Sequence, residues 1–152
     1  MSQGRKLQHA DILPFALAGN AILTIVSGKT GTRFTYRISK VEHPTDGQAR
    51  WFVGVLSGPD NTTDYVFLGS VIGEGGQRFQ RGFRSVIQQA APSCRAFVWF
   101  WSSLRAGTLH DVEVWHEGRC GRCGRLLTVP ESIERGIGPD CAGIMGLLSA
   151  AA

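Results

Sequence analysis

The stretch "AILTIVSGKTGTRFTYRISKV", residues 21–41, decides the fold class. Phe34, Tyr36 and Ile38 alternate with Thr35, Arg37 and Ser39, the period of two that half-buries a strand. "AILTIVS" before it is β-branched and apolar, and Gly28-Lys29-Thr30-Gly31 lies between the two runs. Two such runs joined by a short glycine-containing link form an antiparallel hairpin.

Downstream, "WFVGVLS" and "DYVFLGSVI" repeat the arrangement around "GPDNTT", whose Gly-Pro-Asp-Asn run is turn chemistry. Upstream, "HADILPFALAG" reads as a short helix interrupted or capped near Pro14. After the strands the period changes. In "GQRFQRGFRSVIQQAAP", Phe79, Phe83, Val86 and Ile87 recur at helical spacing and Pro92 marks a stop, which predicts an amphipathic helix over 77–90. "CRAFVWFWSSLRAG" reads as a second helix ending at Gly107, and "DVEVW" as a short strand delivering the chain to His116. The expected architecture is α+β. An antiparallel sheet of about four strands packs with two helices over 1–110, and a C-terminal metal-binding module over 111–152 packs on it.

The chain has 152 residues, enough for one domain with a core of its own. Its first residues are polar and basic, and nowhere do about 18 apolar residues run together, so a soluble cytoplasmic protein with no membrane role is expected. In a reducing compartment the four cysteines are more apt to bind metal than to pair, and the sequon at Asn61 is chemically irrelevant. The formal net charge is +4, and 13 of the 16 basic residues are arginines, the side chain suited to bidentate phosphate contacts. A charge this small permits nucleic-acid binding without requiring it.

Three of the cysteines and one histidine fall within "HEGRCGRCGRLLTVPESIERGIGPDC", residues 116–141. Cys120 and Cys123 form a C-x-x-C turn, and Gly124 lets the backbone bend so that amides point at the sulfurs. A redox C-x-x-C would open a helix within a thioredoxin-like pattern and would leave Cys141 unexplained. Adding Cys141 downstream and His116 upstream gives three sulfurs and a nitrogen, the complement of one closed structural zinc site. Cys94 or His110 could replace His116 as the fourth ligand. Thr128-Val129-Pro130-Glu131 reads as a capping box opening a short helix that ends at Gly136 or Gly138, and Pro139-Asp140 places Cys141 near another helix start.

The string from Cys120 to Cys141, C-G-R-C-G-R followed by L, T, P, S-I, G-I-G-P and C, resembles a small cysteine-rich family of unknown function found in phage proteins and attached to some bacterial enzymes. The resemblance covers the last quarter of the chain and implies metal ligation by the three cysteines, with the preceding histidine as fourth ligand. It supplies no mechanism.

Other motifs fail. "SGKTG" lacks the glycine a phosphate-binding loop needs, since position 23 is Leu23, and "GEGGQR" has Arg78 where a dinucleotide fingerprint has its last glycine. His9 and His43 read as surface residues, and no catalytic constellation is present in the sequence. Arg78, Arg81 and Arg84 would line the polar side of the 77–90 helix, and Arg119, Arg122 and Arg125 surround the cysteines; both groups are candidate contacts to nucleic acid or a partner, or simply solvated faces. In "FVWFW", Trp99 and Trp101 read as core, with base stacking the alternative. Three functions are weighed from this pattern, ranked in order, the third being an enzyme with an unrecognised site in the sheet domain. The first is a phage-type zinc-binding protein that binds and inhibits a host complex, such as a defence system. The second is a nucleic-acid-binding accessory protein.

Overall fold

The computed structural model describes residues 5–42, 45–60 and 63–147. Asn61 of the sequon and His43 lie outside them. Seven strands form one sheet: β1 (Arg5–Lys6), β2 (Asn20–Ser27), β3 (Arg33–Lys40), β4 (Arg50–Leu56), β5 (Tyr65–Ile72), β6 (Arg78–Arg81) and β7 (Val112–His116). Their spatial order is β1-β7-β2-β3-β4-β5-β6, with every neighbouring pair antiparallel. Four helices accompany them: α1 (His9–Ala16), α2 (Pro92–Ala106), α3 (Pro130–Arg135) and α4 (Pro139–Ile144). The expectation of about four strands packed with two helices is thereby corrected to a seven-stranded antiparallel sheet with four helices among the described residues.

The hairpin at residues 21–41 forms as its alternation requires, with Leu23 opposite Tyr36 and Ile25 opposite Phe34. Ala21, Leu23, Ile25, Tyr36, Ile38, Trp51, Val53, Val55, Leu68 and Val71 are buried and make the inner face of the sheet. Because successive side chains alternate, Thr24, Arg37, Phe52 and Phe67 fall on the opposite face.

The region read as a helix over 77–90 is strand β6 followed by a loop. Phe79 sits opposite Val71 in the ladder and packs edge-on against Phe97, ring centroids 4.8 Å apart. Phe83 and Val86, which a buried helical stripe would have needed, are 88% and 82% exposed. The glycine-rich turn before it therefore leads from strand to strand, and Arg78, Arg81 and Arg84 do not share a helix face. Pro92 occupies the first turn of α2 instead of stopping an earlier helix, as its fixed φ favours.

Helix α2 fills the inner face of the sheet on the crossover from β6 to β7. Phe97, Phe100, Trp101 and Leu104 are buried, Val98 and Trp99 stay partly exposed, and Gly107 ends the helix in the left-handed conformation. Three hydrogen bonds fix helix and sheet in place. Tyr36 Oη donates to the Ser93 carbonyl at 2.6 Å, Trp101 Nε1 to Gly76 at 2.9 Å, and Trp51 Nε1 to Leu17, just past α1, at 3.1 Å. Each lets a large, partly polar ring be buried without stranding its donor.

Strand β7 inserts between β1 and β2, pairing His116 with both Leu23 and Arg5. The boundary expected at 110/111 thus falls just before a sheet strand, and the cysteine-bearing segment leaves directly from the ladder. No described helix is long and apolar enough to cross a membrane.

Candidate metal centre

From the end of β7 the chain turns at Gly118 and makes a short two-stranded excursion. The Cys120 amide donates to the Arg125 carbonyl at 2.8 Å and the Leu127 amide to Gly118 at 2.8 Å, while the Gly124 amide closes the C-x-x-C turn onto the Cys120 carbonyl at 2.9 Å. Gly124 has φ +79°, a conformation that costs glycine little. The second jaw is α3, ended by Gly136, then Ile137, Gly138 and the first turn of α4, which carries Cys141. Val129, not Thr128, is the N-cap of α3, and Pro130 is its first residue. The expected capping box is therefore not formed, because Glu131 sits one position too early to reach back.

The two jaws are pressed onto α1 by two glycines. The Gly121 amide donates to the Gly136 carbonyl at 2.9 Å, and a Cβ at Gly121 or Gly136 would lie 2.7 or 2.6 Å from the Phe15 ring. Close approach to Phe15, not only turn geometry, explains two of the glycines in the motif.

The sulfurs of Cys120, Cys123 and Cys141 lie within 4.8 Å of one another, close enough to hold one metal ion. Backbone amides of Arg122 and Gly138 reach the Cys120 sulfur at 3.4 and 3.3 Å, and Arg122 Nη1 lies 3.5 Å from the Cys141 sulfur. Burial pushes the Cys120 thiol up, but amide donors from Gly138, Cys123 and Arg122 outweigh it and hold the group below the usual thiol range. Cys141 is raised by burial, against the Arg122 guanidinium and together with its thiol neighbours. Three sulfurs this close cannot all ionise cheaply without a cation.

His116, expected as the fourth ligand, is not brought into this cluster. It is 2% exposed, with both ring nitrogens engaged. The Gly118 amide, which can only donate, meets Nδ1 at 2.9 Å; the proton is therefore on Nε2, which donates to the Ile133 carbonyl at 2.5 Å. The ring stands 5.6 Å from Phe15 and ties β7 to both jaws. Cys94 is buried in α2 and His110 is exposed beside Thr108, so neither substitute joins the sulfurs.

A latch that must be neutral carries a pH signature. Burial first, and the nearby Arg5 charge, hold the His116 pKa below its ordinary value, against the raising effect of its bond to Ile133. The unfolded chain then binds a proton that the folded chain refuses. Stability should be complete above about pH 7 and fall as pH drops below about 6.5, by up to about 1.4 kcal/mol per pH unit. Thermal midpoints from pH 7.5 to 5.5 should fall more steeply for the natural protein than for His116→Gln. Parallel profiles would remove the latch from the pH response.

The six candidate contact arginines separate into distinct roles. Arg119 Nη1 folds back on the Gly124 carbonyl at 3.2 Å, Arg122 is committed to Cys141, and Arg125 is exposed beside the sulfurs. Arg81 braces the 82–91 loop by donating from Nε to Ile87 at 2.7 Å and from Nη2 to Ser85 at 3.2 Å. Arg78 and Arg84 are exposed, the Arg84 guanidinium 5.6 Å from the centre of the Phe83 ring. Four strands separate β6 from β7, so the two arginine groups do not merge along the sheet.

Sequence reasoning missed Ser132. It is 1% exposed, its Oγ has no hydrogen-bond partner, and it lines a cleft of about 210 Å³ that also contains all three clustered cysteines. Nothing in the sequence sets it apart from the other polar residues of α3.

No curated protein and no solved structure gives a significant match to the chain. Residues 114–146, from the middle of β7 past the end of α4, match the model of a family of unknown function, DUF6011, so the likeness covers the cysteine-bearing module and not the sheet strands before β7.

Proposed function

We propose that the chain is a zinc-stapled binding protein that holds single-stranded nucleic acid on the outer face of its sheet. Three clustered sulfurs suit zinc, a borderline-soft cation with no redox demand of its own. The zinc locks the two jaws of the C-terminal module to each other, one carrying Cys120 and Cys123 and the other Cys141.

The observation that carries the binding role is an aromatic pair with a basic rim. Phe52 and Phe67 stand edge to face on the outer side, 5.7 Å apart and 47% and 39% exposed. Arg50, Arg78, Arg81, Arg84, Gln80 and Phe83 line the adjoining groove with Phe67. Exposed rings offer base stacking worth about 1–3 kcal/mol each, and the exposed Arg78 and Arg84 offer phosphate contacts, since Arg81 is held by Ile87 and Ser85 and Arg50 by Asp46. The chain's positive charge agrees in sign.

In titrations with a fluorescent single-stranded oligonucleotide, affinity should fall steeply with salt. Arg78→Glu with Arg84→Glu should weaken binding and flatten the logarithmic salt slope by about 0.7 per lost phosphate contact. Phe52→Ala should weaken binding with the slope unchanged.

A second reading, a phage-type protein that binds and inhibits a host protein complex, is favoured by the projection of Phe83 and Val86 from the loop after β6. Capture of a host protein that survives nuclease and is lost with Phe83→Ala, together with no salt-dependent oligonucleotide binding, would replace the first reading with this one.

A further inference from the structure

We infer that the metal held by Cys120, Cys123 and Cys141 takes its fourth ligand from outside the chain, a neutral imidazole-type donor that enters the cleft beside Ser132. The inference rests on reading the three cysteines as a zinc site.

Tetrahedral zinc needs four donors, and closed structural sites draw all of them from protein. Here the sulfurs supply three. No other histidine, cysteine, aspartate or glutamate among the described residues joins them, although Asp140 is the immediate neighbour of Cys141. His116 is held away by bonds at both nitrogens.

The space next to the sulfurs is shaped for a small guest. The cleft of about 210 Å³ has room for a single five-membered ring, below the usual size of a pocket for a larger ligand. Leu126 and Val129, 54% and 44% exposed, line it and would contact the faces of a ring.

Ser132 is the independent observation. A buried hydroxyl left without a partner costs about 1–3 kcal/mol, and alanine would fill the same place without that cost. A guest carrying a second nitrogen satisfies the hydroxyl while its first nitrogen meets the metal. Charge enters the choice of donor. Zinc with three thiolates carries a net charge of −1, which the Arg122 guanidinium at the Cys141 sulfur offsets; a neutral imidazole leaves that balance undisturbed, whereas a carboxylate adds a negative charge beside Asp140 in the cleft wall. Binding is then a ligand exchange in which a metal-bound water leaves and the nitrogen lone pair takes its place.

The test uses the full chain loaded with cobalt(II), whose visible bands report coordination where zinc is silent, and imidazole as the probe. Cobalt should enter with sulfur charge-transfer bands. Added imidazole should shift the d–d bands along a saturable curve, and acetate at the same concentration should not. Ser132→Ala should bind cobalt as before and imidazole about fivefold more weakly, the equivalent of about 1 kcal/mol.

Failure to take up cobalt would sink the zinc reading itself. Uptake with four-coordinate bands indifferent to imidazole would keep the metal and overturn the exchangeable position. Bands that respond only in His43→Ala would overturn it too, because the chain would then be filling the position itself. An equal response to acetate would overturn the choice of donor, and an unchanged imidazole affinity in Ser132→Ala would overturn the role given to the hydroxyl. The titration of the natural protein decides the main point even if that variant fails to fold.

Discussion

Cys120→Ser should be the most damaging single substitution in the chain. Cys120 is 1% exposed, accepts hydrogen bonds from the Arg122 and Gly138 amides, and belongs to both the C-x-x-C turn and the three-sulfur cluster. Serine keeps the size but offers a poor zinc ligand. In small zinc modules metal binding supplies about 10–16 kcal/mol of apparent free energy at neutral pH, and that energy is folding energy. The helices α3 and α4 have six residues each, too short to persist without the ion and the packing around it. The variant should purify without metal, and amides over 117–147 should exchange with solvent orders of magnitude faster. Amides of β3 and β4 should be affected least. A chelator should reproduce the pattern in the natural protein. Retained zinc and unchanged exchange would refute the structural role given to the metal.

Phe97→Ala should come next, through a different mechanism. Phe97 is fully buried, with ring centroids 4.8 Å from Tyr36, 4.8 Å from Phe79, 5.8 Å from Phe100 and 5.9 Å from Trp101. Truncation leaves a void bounded by other rings on both sheet and helix, and these cannot close in without giving up their own contacts. The expected loss is about 3–5 kcal/mol, or roughly 6–20 °C in thermal midpoint for a chain of this size. Zinc content should remain near stoichiometric, since the residue lies outside the metal module. Phe97→Leu should recover more than half of the loss. A midpoint within about 2 °C of the natural protein would show that α2 does not hold the inner face as described.

The strands at residues 20–72 were legible because their period-two pattern matches a sheet with one covered face. Leu23, Tyr36 and Val53 are buried while Thr24, Arg37 and Phe52 are not. The error at 77–90 has a clear origin. Phe79, Phe83, Val86 and Ile87 lie at helical intervals, but only Phe79 and Ile87 are packed against the core, and Phe83 and Val86 face solvent in a loop. Periodicity implies burial only when every member of the stripe is buried, which sequence does not reveal.

At the candidate site the three cysteines could be found because thiolate ligands demand a particular residue type at a particular spacing. The place of His116, outside the three-sulfur cluster, was not legible for the converse reason. Histidine near cysteines fits a ligand and a buried hydrogen-bonding latch equally well, and only the Gly118 amide and Ile133 carbonyl separate the two. Ser132 was not legible at all, because an unpartnered hydroxyl is a property of three-dimensional surroundings.

The position of β7 has a consequence for how the chain assembles. Strands β2 to β6 are contiguous in sequence and can pair as they leave the ribosome, but the free edge of β2 must wait for residues 112–116, some 90 positions later. Strand β1, although it precedes the other six in the chain, docks last, because among the described residues its neighbour in the sheet is β7 alone. Until then the edge of β2 from Leu23 to Ser27 presents an unpaired ladder to any other nascent strand. Closing so long a loop is slow, and the interval is the time during which two growing chains could exchange strands. The cysteine module follows β7 directly and is tied back to it by the bond from His116 to the Ile133 carbonyl, so the folded module makes the late strand harder to release.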